Sequence, residues 1–356
     1  MNIRYGLPYK GSKNKLASRI FKLFPRRKNF YDLFCGGCAM THYGMLHNKF
    51  ENFFINDLNP MCPNLFIEAI NGKYRDEKRW ISREDFFKLK DTDAYVAICW
   101  SFGNNLMSYL YGEEIEPYKK ACYYAVVFDD FSFIKELCPH VYDATKKALD
   151  GCGDIKKRQS VFKSVVMKEL KQLENWSVVE NNLLYKSVLQ MQSLQSLESL
   201  ERLQSLESLE RLQRLQSLQS LQSLESLQSL QSLQRLQSLQ RLQGFSTDYQ
   251  NVKIYKDSVI YCDIPYEDTN RYTTSSFDYE RFYSWCEKQT EPLFISSYRM
   301  PEDRFVCIAT FKHRSTLSAT ANNKVLEKVF IPKHQASSYS LPESLFDFDD
   351  FKLFEL

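Results

Sequence analysis

The segment NFYDLFCGG (Asn29–Gly37), followed by AMTHYGMLHNKF (Ala39–Phe50) and ENFFINDLNP (Glu51–Pro60), decides the fold. The first reads as a short buried strand, rich in aromatic side chains, that ends in a glycine turn. The second has the composition of a helix, and the third reads as another strand closed by turn-forming residues. Strand, glycine turn, helix and strand make a βαβ unit. That unit implies a parallel sheet, with any ligand at the carboxyl ends of its strands.

Working outward, the chain from about Glu84 to Tyr185 has a mainly helical pattern, with YKKACYYAVVF (Tyr118–Phe128) as one candidate helix. DSVIYCDIPY (Asp257–Tyr266) reads as a strand ending in a turn, and DYERFYSWCEKQ (Asp278–Gln289) as a helix. PLFISSY (Pro292–Tyr298) and RFVCIATF (Arg304–Phe311) read as strands. The α/β pattern therefore resumes after a long interruption, and one sheet is expected from both ends of the chain. The expected divisions are a core in two parts, 1–83 and 244–335, an inserted helical region at 84–192, a repeat at 193–243 and an acidic tail at 336–356.

The repeat consists of triplets of Ser or Arg, Leu, and Gln or Glu, with Leu at every third position from Leu194 to Leu242. On an α-helix, leucines three apart drift by about 60° per step and wrap the whole cylinder, so no simple coiled-coil stripe results. The residue types favour helix, whereas a short strict period also fits a stacked solenoid in which coils bury each other's leucines. Both conformations stay open. Its five Glu and five Arg cancel, and it holds no catalytic constellation, so a spacer, an interaction arm (through which copies could self-associate) or a tolerated insertion is expected.

In 356 residues with 44% hydrophobic and 26% charged side chains, there is material for one large α/β core with an insertion. No apolar run reaches the roughly 18 residues that span a bilayer, and the amino terminus lacks a signal-type stretch, so a cytoplasmic protein without a membrane partner is expected. The ten cysteines are spread through a chain too large to need stapling, and Cys35 and Cys38 have no second pair at zinc spacing. Reduced thiols and no metal follow as expectations. Net charge is only +3, yet residues 1–30 carry nine basic side chains and no acidic one, and residues 299–335 carry seven basic against three acidic. If the fold brings these segments together, they form a face for a polyanion.

Three features carry chemistry. The turn DLFCGG (Asp32–Gly37) lets backbone approach a nucleoside cofactor, and Asp57, at the end of the next strand, offers a carboxylate to ribose hydroxyls. Cys38 stands where a further glycine is expected for a pyrophosphate loop, which favours a nucleoside without pyrophosphate over a dinucleotide. The third is YCDIPY: Asp263 and the backbone carbonyl of Ile264 are two acceptors held by the rigid Pro265 turn, with Tyr266 as a stacking platform. A flat base with an exocyclic amine fits that arrangement.

Together these segments resemble the Dam-like DNA adenine methyltransferases. YKGSKNKL (Tyr9–Leu16) resembles their amino-terminal cofactor motif, YDLFCGG their glycine motif, NDLNP (Asn56–Pro60) their ribose-binding segment and CDIPY their catalytic motif, with Ile264 in place of the first proline. The resemblance implies a Rossmann-like, class I methyltransferase sheet with S-adenosylmethionine as cofactor and an inserted helical target-recognition region. Tyr9, Lys13, Asp32, Phe34, Gly36 and Asp57 would bind the cofactor. Asp263, Ile264, Pro265 and Tyr266 would carry catalysis on an adenine flipped out of double-stranded DNA. RSTLSATANNKVLEKVFIPK (Arg314–Lys333) resembles the closing segment, making Arg314, Asn322, Asn323 and Lys324 DNA contacts. A bacterial or phage setting, with roles in restriction protection, regulation or evasion, also follows from the family. Alternatives are a cytosine-amino or RNA-adenine methyltransferase, or an inactive DNA-binding assembly protein that uses the repeat. In the middle region, CWSFGNN (Cys99–Asn105) offers amides that either read base edges or cap a turn.

Overall fold

The computed structural model describes residues 5–7, 9, 11–74, 76–172, 179–189, 241–266, 277–314 and 324–339. The chain divides into two compact units, Met1–Arg75 with Ser229–Leu356, and Asp76–Gln228. The first unit begins from the expected βαβ element: β1 (Asn29–Asp32), α2 (Ala39–Leu46) after α1 (Ala17–Leu23), and β2 (Asn52–Asn56). It continues with α3 (Met61–Ile70), and then β3 (Arg241–Phe245) and β4 (Ser258–Asp263).

Seven strands form one sheet in the order β3-β2-β1-β4-β5-β7-β6, where β5 is Leu293–Ser297, β6 is Phe305–Arg314 and β7 is Lys324–Pro332. Strands β1 to β5 run parallel, while β7 is antiparallel to β5 and β6 antiparallel to β7. The sheet borders both ways from β1, with β2 on one side and β4 on the other. The carboxyl ends of β1 and β4 therefore flank the point where the strand order reverses, the place where open α/β sheets bind ligands.

The central strands are buried on both faces, as continuous apolar runs such as SVIYCD require. Alternation sorts their side chains. Tyr31, Phe54, Ile260, Cys262, Ile264 and Ile295 join one buried cluster with Phe282 and Tyr283 of the helix Tyr279–Cys286. Phe30, Tyr261 and Phe294 lie on the other face, where α1 sets Phe24 at 5.7, 5.8 and 4.8 Å from those three rings. Asp263 is two residues after Tyr261 in β4, so it shares the α1 face.

The edge strand β3 is a finding that composition hid. Its first three residues, Arg241, Leu242 and Gln243, are the last triplet of the repeat, which the sequence reading placed outside the core. They pair in parallel with Asn52, Phe53 and Phe54 of β2. Gly244 then lies where a Cβ would meet Ile67 Cδ1 at 2.5 Å, and the Phe245 ring stacks on Phe54 at 6.5 Å. The rest of the repeat, and with it the choice between helix and solenoid, lies outside the described residues.

In the second unit the described residues are helical over most of their length, as expected: α4 (Arg83–Leu89), α5 (Ala94–Cys99), α6 (Glu116–Tyr123), α7 (Ser132–Leu137), α8 (Pro139–Leu149), α9 (Ile155–Gln172) and α10 (Val179–Leu189). The compact unit starts at Asp76, a few residues before the boundary read from sequence. Helix α6 passes into a π-helical turn, Tyr124–Phe128. Buried Arg158 of α9 holds that turn, donating to the carbonyls of Ala125 and Val126 at 2.7 Å and of Cys152 at 3.0 Å, and pairing with Asp129. No helix among the described residues is long and apolar enough to cross a membrane.

Candidate active site

The amino-terminal segment is clasped onto the glycine turn. Leu7 N–H donates to the Gly37 carbonyl at 2.6 Å, and Gly6 N–H donates to Nδ1 of His42 at 2.7 Å. Gly6 takes φ +75°, and a Cβ there would sit 2.3 Å from the Gly37 oxygen, so only glycine permits the approach. His42 is 3% exposed, and burial pushes its imidazole down to about 4, so it stays neutral and accepts this bond near pH 7. The ring of Tyr9 lies against Gly36.

Cys38 explains its own oddity in the glycine motif. It holds the left-handed conformation, φ 58°, at the start of α2, while its side chain is fully buried. A glycine would take that backbone freely; cysteine bears a strain of about 1 to 3 kcal/mol. None of the ten cysteines is joined in a disulfide. Among the described residues no cluster of His, Cys, Asp and Glu has the makings of a metal site.

Two carboxylates organise the turn. Asp32, at the end of β1, is 2% exposed and accepts the Thr41 hydroxyl at 2.8 Å. Burial, with a smaller contribution from neighbouring carboxylates, lifts it to about 7. Asp57 accepts the N–H of Gly36 and of Asn59, each at 2.9 Å, tying the glycine turn to the end of β2. Burial raises it as well. The Phe34 side chain, expected beside the cofactor, packs with Tyr249 at 5.3 Å and Phe282 at 5.8 Å.

Across the switch point, Asp263 ends β4. The Lys13 ammonium lies 2.7 Å from its carboxylate and 2.7 Å from the Tyr266 hydroxyl, so the structure brings Lys13 onto the catalytic motif. Tyr266 in turn donates to Glu327 Oε1 at 2.8 Å. Its ring lies 4.1 Å from that of Tyr298, just beyond β5. Burial raises both Asp263 and Glu327, and Lys13 opposes that rise in each. Ile264 turns into the core at 3% exposure, and the Pro265 carbonyl accepts the Tyr279 hydroxyl at 3.0 Å.

Glu327, Tyr298 and Thr41 were missed by sequence reasoning. The one signal for Glu327 was an acid inside a strand run, VLEKVFIP, whose other members are apolar except Lys328. Its burial, 2% exposed, follows from strand alternation: it shares a face with buried Val329 of β7.

Among the described residues, basic side chains of the amino-terminal segment are divided between the two ends of the sheet. Lys13 is buried in the cluster just described, whereas Arg26, Arg27, Lys28 and Lys49 line a hollow with Asp257 and Glu51 at the amino ends of β1, β2 and β4. That is the end of the sheet opposite Asp263. Arg314 and Lys324, by contrast, are register partners at the end of the β6–β7 pair that lies beyond the carboxyl end of β5. Asn322 and Asn323 lie outside the described residues. In the second unit Asn104 Nδ2 donates to the Ile98 carbonyl, and Asn105 Oδ1 accepts from Met107 and Ser108 N–H, so these amides cap a turn.

A mostly parallel sheet that ends in an antiparallel β6–β7 pair, with acidic residues at the ends of β1, β2 and β4, is the Rossmann-like methyltransferase architecture expected from sequence. Residues 9–128, about a third of the chain, match the model of the D12 class N6 adenine-specific DNA methyltransferase family. That match indicates an adenine-specific DNA methyltransferase. No curated protein matches the chain. The matched stretch holds Lys13, Asp32 and Asp57; Asp263, Tyr266 and Glu327 reach the same site through the strand order.

Proposed function

We propose that this chain transfers the methyl group of S-adenosylmethionine to the exocyclic amine of adenine in double-stranded DNA, on a base turned out of the helix. The observation that carries this reading is the placement of Asp263 and Tyr266 at the end of β4, beside β1 with its glycine turn and Asp32.

The residues present fit such a cofactor. Asp32 and Asp57 are buried carboxylates raised by burial, and Asp32 also by like charge, so a ligand bearing a cationic sulfonium and ammonium relieves both. Tyr9, Lys13, Asp32, Phe34, Gly36 and Asp57 form or surround that cradle: Asp57 is placed for ribose, the Asp32–Gly37 turn for the methionine part, and Lys13 acts from the Asp263 side. When bound, the cofactor supplies an electrophilic methyl group.

The protein's part is position and charge. An adenine amine is a poor nucleophile, since its lone pair is delocalised into the ring. Hydrogen bonds to Asp263 and to the Ile264 carbonyl, held by Pro265, favour a tetrahedral nitrogen with its lone pair free for in-line attack. Tyr266 offers a face to the flipped base, offsetting an unstacking cost of a few kcal/mol. Arg314, Asn322, Asn323 and Lys324 meet phosphates or base edges from the closing segment.

The test is incubation of the full chain with labelled S-adenosylmethionine and unmethylated duplex DNA, followed by nucleoside mass spectrometry. N6-methyladenine is expected. Asp263→Asn lowers its formation on the order of 10²-fold or more while calorimetric cofactor binding stays within a few-fold. Methylcytosine, or methylation confined to RNA, overturns the substrate; cofactor binding without any transfer overturns the reaction.

A further inference from the structure

Methyl transfer to an amine leaves a proton to be removed. The nitrogen gains a carbon while it still holds both hydrogens, so one must depart as H⁺ from a pocket that the base itself closes. Asp263 is the acceptor nearest that nitrogen in the reading above, on which the present inference rests. Yet Asp263 is only one end of a chain of groups. Its carboxylate meets the Lys13 ammonium at 2.7 Å, Lys13 meets the Tyr266 oxygen at 2.7 Å, and the Tyr266 hydroxyl donates to Glu327 at 2.8 Å. Three short hydrogen bonds thus connect two carboxylates on different strands, β4 and β7.

We infer that Glu327 is the terminal acceptor of a proton relay that carries the amine proton away from Asp263 through Lys13 and Tyr266. The amine nitrogen gives H⁺ to Asp263. Asp263 passes a proton to Lys13 as Lys13 gives one to the Tyr266 oxygen and Tyr266 gives its own to Glu327. At the end the adenine carries one hydrogen fewer and one methyl more, Glu327 carries one proton, and Asp263, the Lys13 ammonium and the Tyr266 hydroxyl are restored. No electrons are exchanged with any redox partner.

The site around Glu327 suits this role. It is 2% exposed, and among the described residues the titratable groups that face it include Lys13 from the amino-terminal segment and Asp263, Tyr266 and Tyr261 from β4 and its turn. Lys13 is 3.8 Å from Glu327 Oε1, so one ammonium is shared unequally between the two acids. Burial raises Glu327 from the ordinary carboxylate range, which gives it proton affinity that a surface glutamate lacks. A merely structural glutamate needs only to accept from Tyr266, and glutamine does that equally well.

Glu327→Gln therefore separates the two roles in the full chain. It keeps an acceptor for Tyr266 and removes the proton site. The expected single-turnover methylation rate falls on the order of 10²-fold, and the acid limb of its pH profile that belongs to Glu327 disappears. Fluorescence of 2-aminopurine at the target position rises on binding as in the wild type. In the cofactor-free protein, infrared difference spectra taken across pH lose one buried-carboxyl band in the variant. Wild-type rate and an unchanged acid limb in Glu327→Gln would overturn the relay; so would loss of the 2-aminopurine response, which assigns Glu327 to holding Tyr266. If the wild type itself methylates no adenine, the underlying function fails instead, and the infrared band still reports on Glu327.

Discussion

Acidification should weaken the clasp between the amino-terminal segment and the glycine turn, because His42 must stay neutral to accept the Gly6 N–H. Its imidazole falls from 6.5 to about 4 on burial. The folded state thus disfavours a proton that the unfolded chain takes up readily, and the stability His42 contributes is complete above pH 6.5 and lost as pH falls through 4. At about 1.4 kcal/mol per pH unit, the window corresponds to about 3 kcal/mol. The comparison is between the wild type and His42→Gln, which keeps an oxygen acceptor without a titrating ring. Urea unfolding followed by near-ultraviolet circular dichroism at half-unit steps from pH 7.5 to 4 measures it. The wild type should lose about 3 kcal/mol relative to the variant across that range, and the His42 ring, followed by NMR, should remain neutral at pH 5.5. A difference that stays flat with pH, or a His42 titration near 6.5, refutes the reasoning.

Asp32→Asn should show the opposite sign: Asp32 is raised to about 7, so its protonation stabilises the fold below that pH, and the wild type should gain about 4 kcal/mol on the variant between pH 7 and 4 in the same titration. Arg158→Met strips its guanidinium bonds from the π-helical turn and leaves buried carbonyls unmet, so thermal unfolding of the chain should reveal a loss of about 3 kcal/mol or more assigned to the second unit by hydrogen exchange. Gly244→Val drives a branched side chain into Ile67, so it should cost about 1 to 3 kcal/mol in urea unfolding, and Ile67→Ala should recover part of that cost; a double variant no better than the single one would refute the contact.

Much of the core was legible because its strands are short aromatic and β-branched runs closed by turn residues, and β1, β2, β4 and β5 all fall within the segments read as strands. Asp32, Asp57 and Asp263 stood out for the same local reason: each follows such a run. Lys13 was read toward the cofactor, since nothing local reveals that it meets an acid 250 positions away; that pairing is created by strand order. Glu327 left only the signal of an acid within a strand run, because its significance depends on which face of β7 is buried. The β3 strand contradicted its composition. Arg-Leu-Gln has helix propensity, yet the outer edge of β2 supplies a ladder of backbone partners, and tertiary pairing wins over a preference worth tenths of a kcal/mol.

The make-up of β3 has an evolutionary consequence. The residues that fix its register, Gly244 and Phe245, come after the repeat, and the triplet before Arg241–Gln243 reads Ser-Leu-Gln, Ser238–Gln240. Loss of the last triplet thus feeds an equivalent segment into the same ladder, changing only the side chain at exposed position 241. The gene can therefore expand and contract in nine-nucleotide steps while the sheet stays the same, so the length of this insertion is free to drift under selection on whatever the repeat itself does.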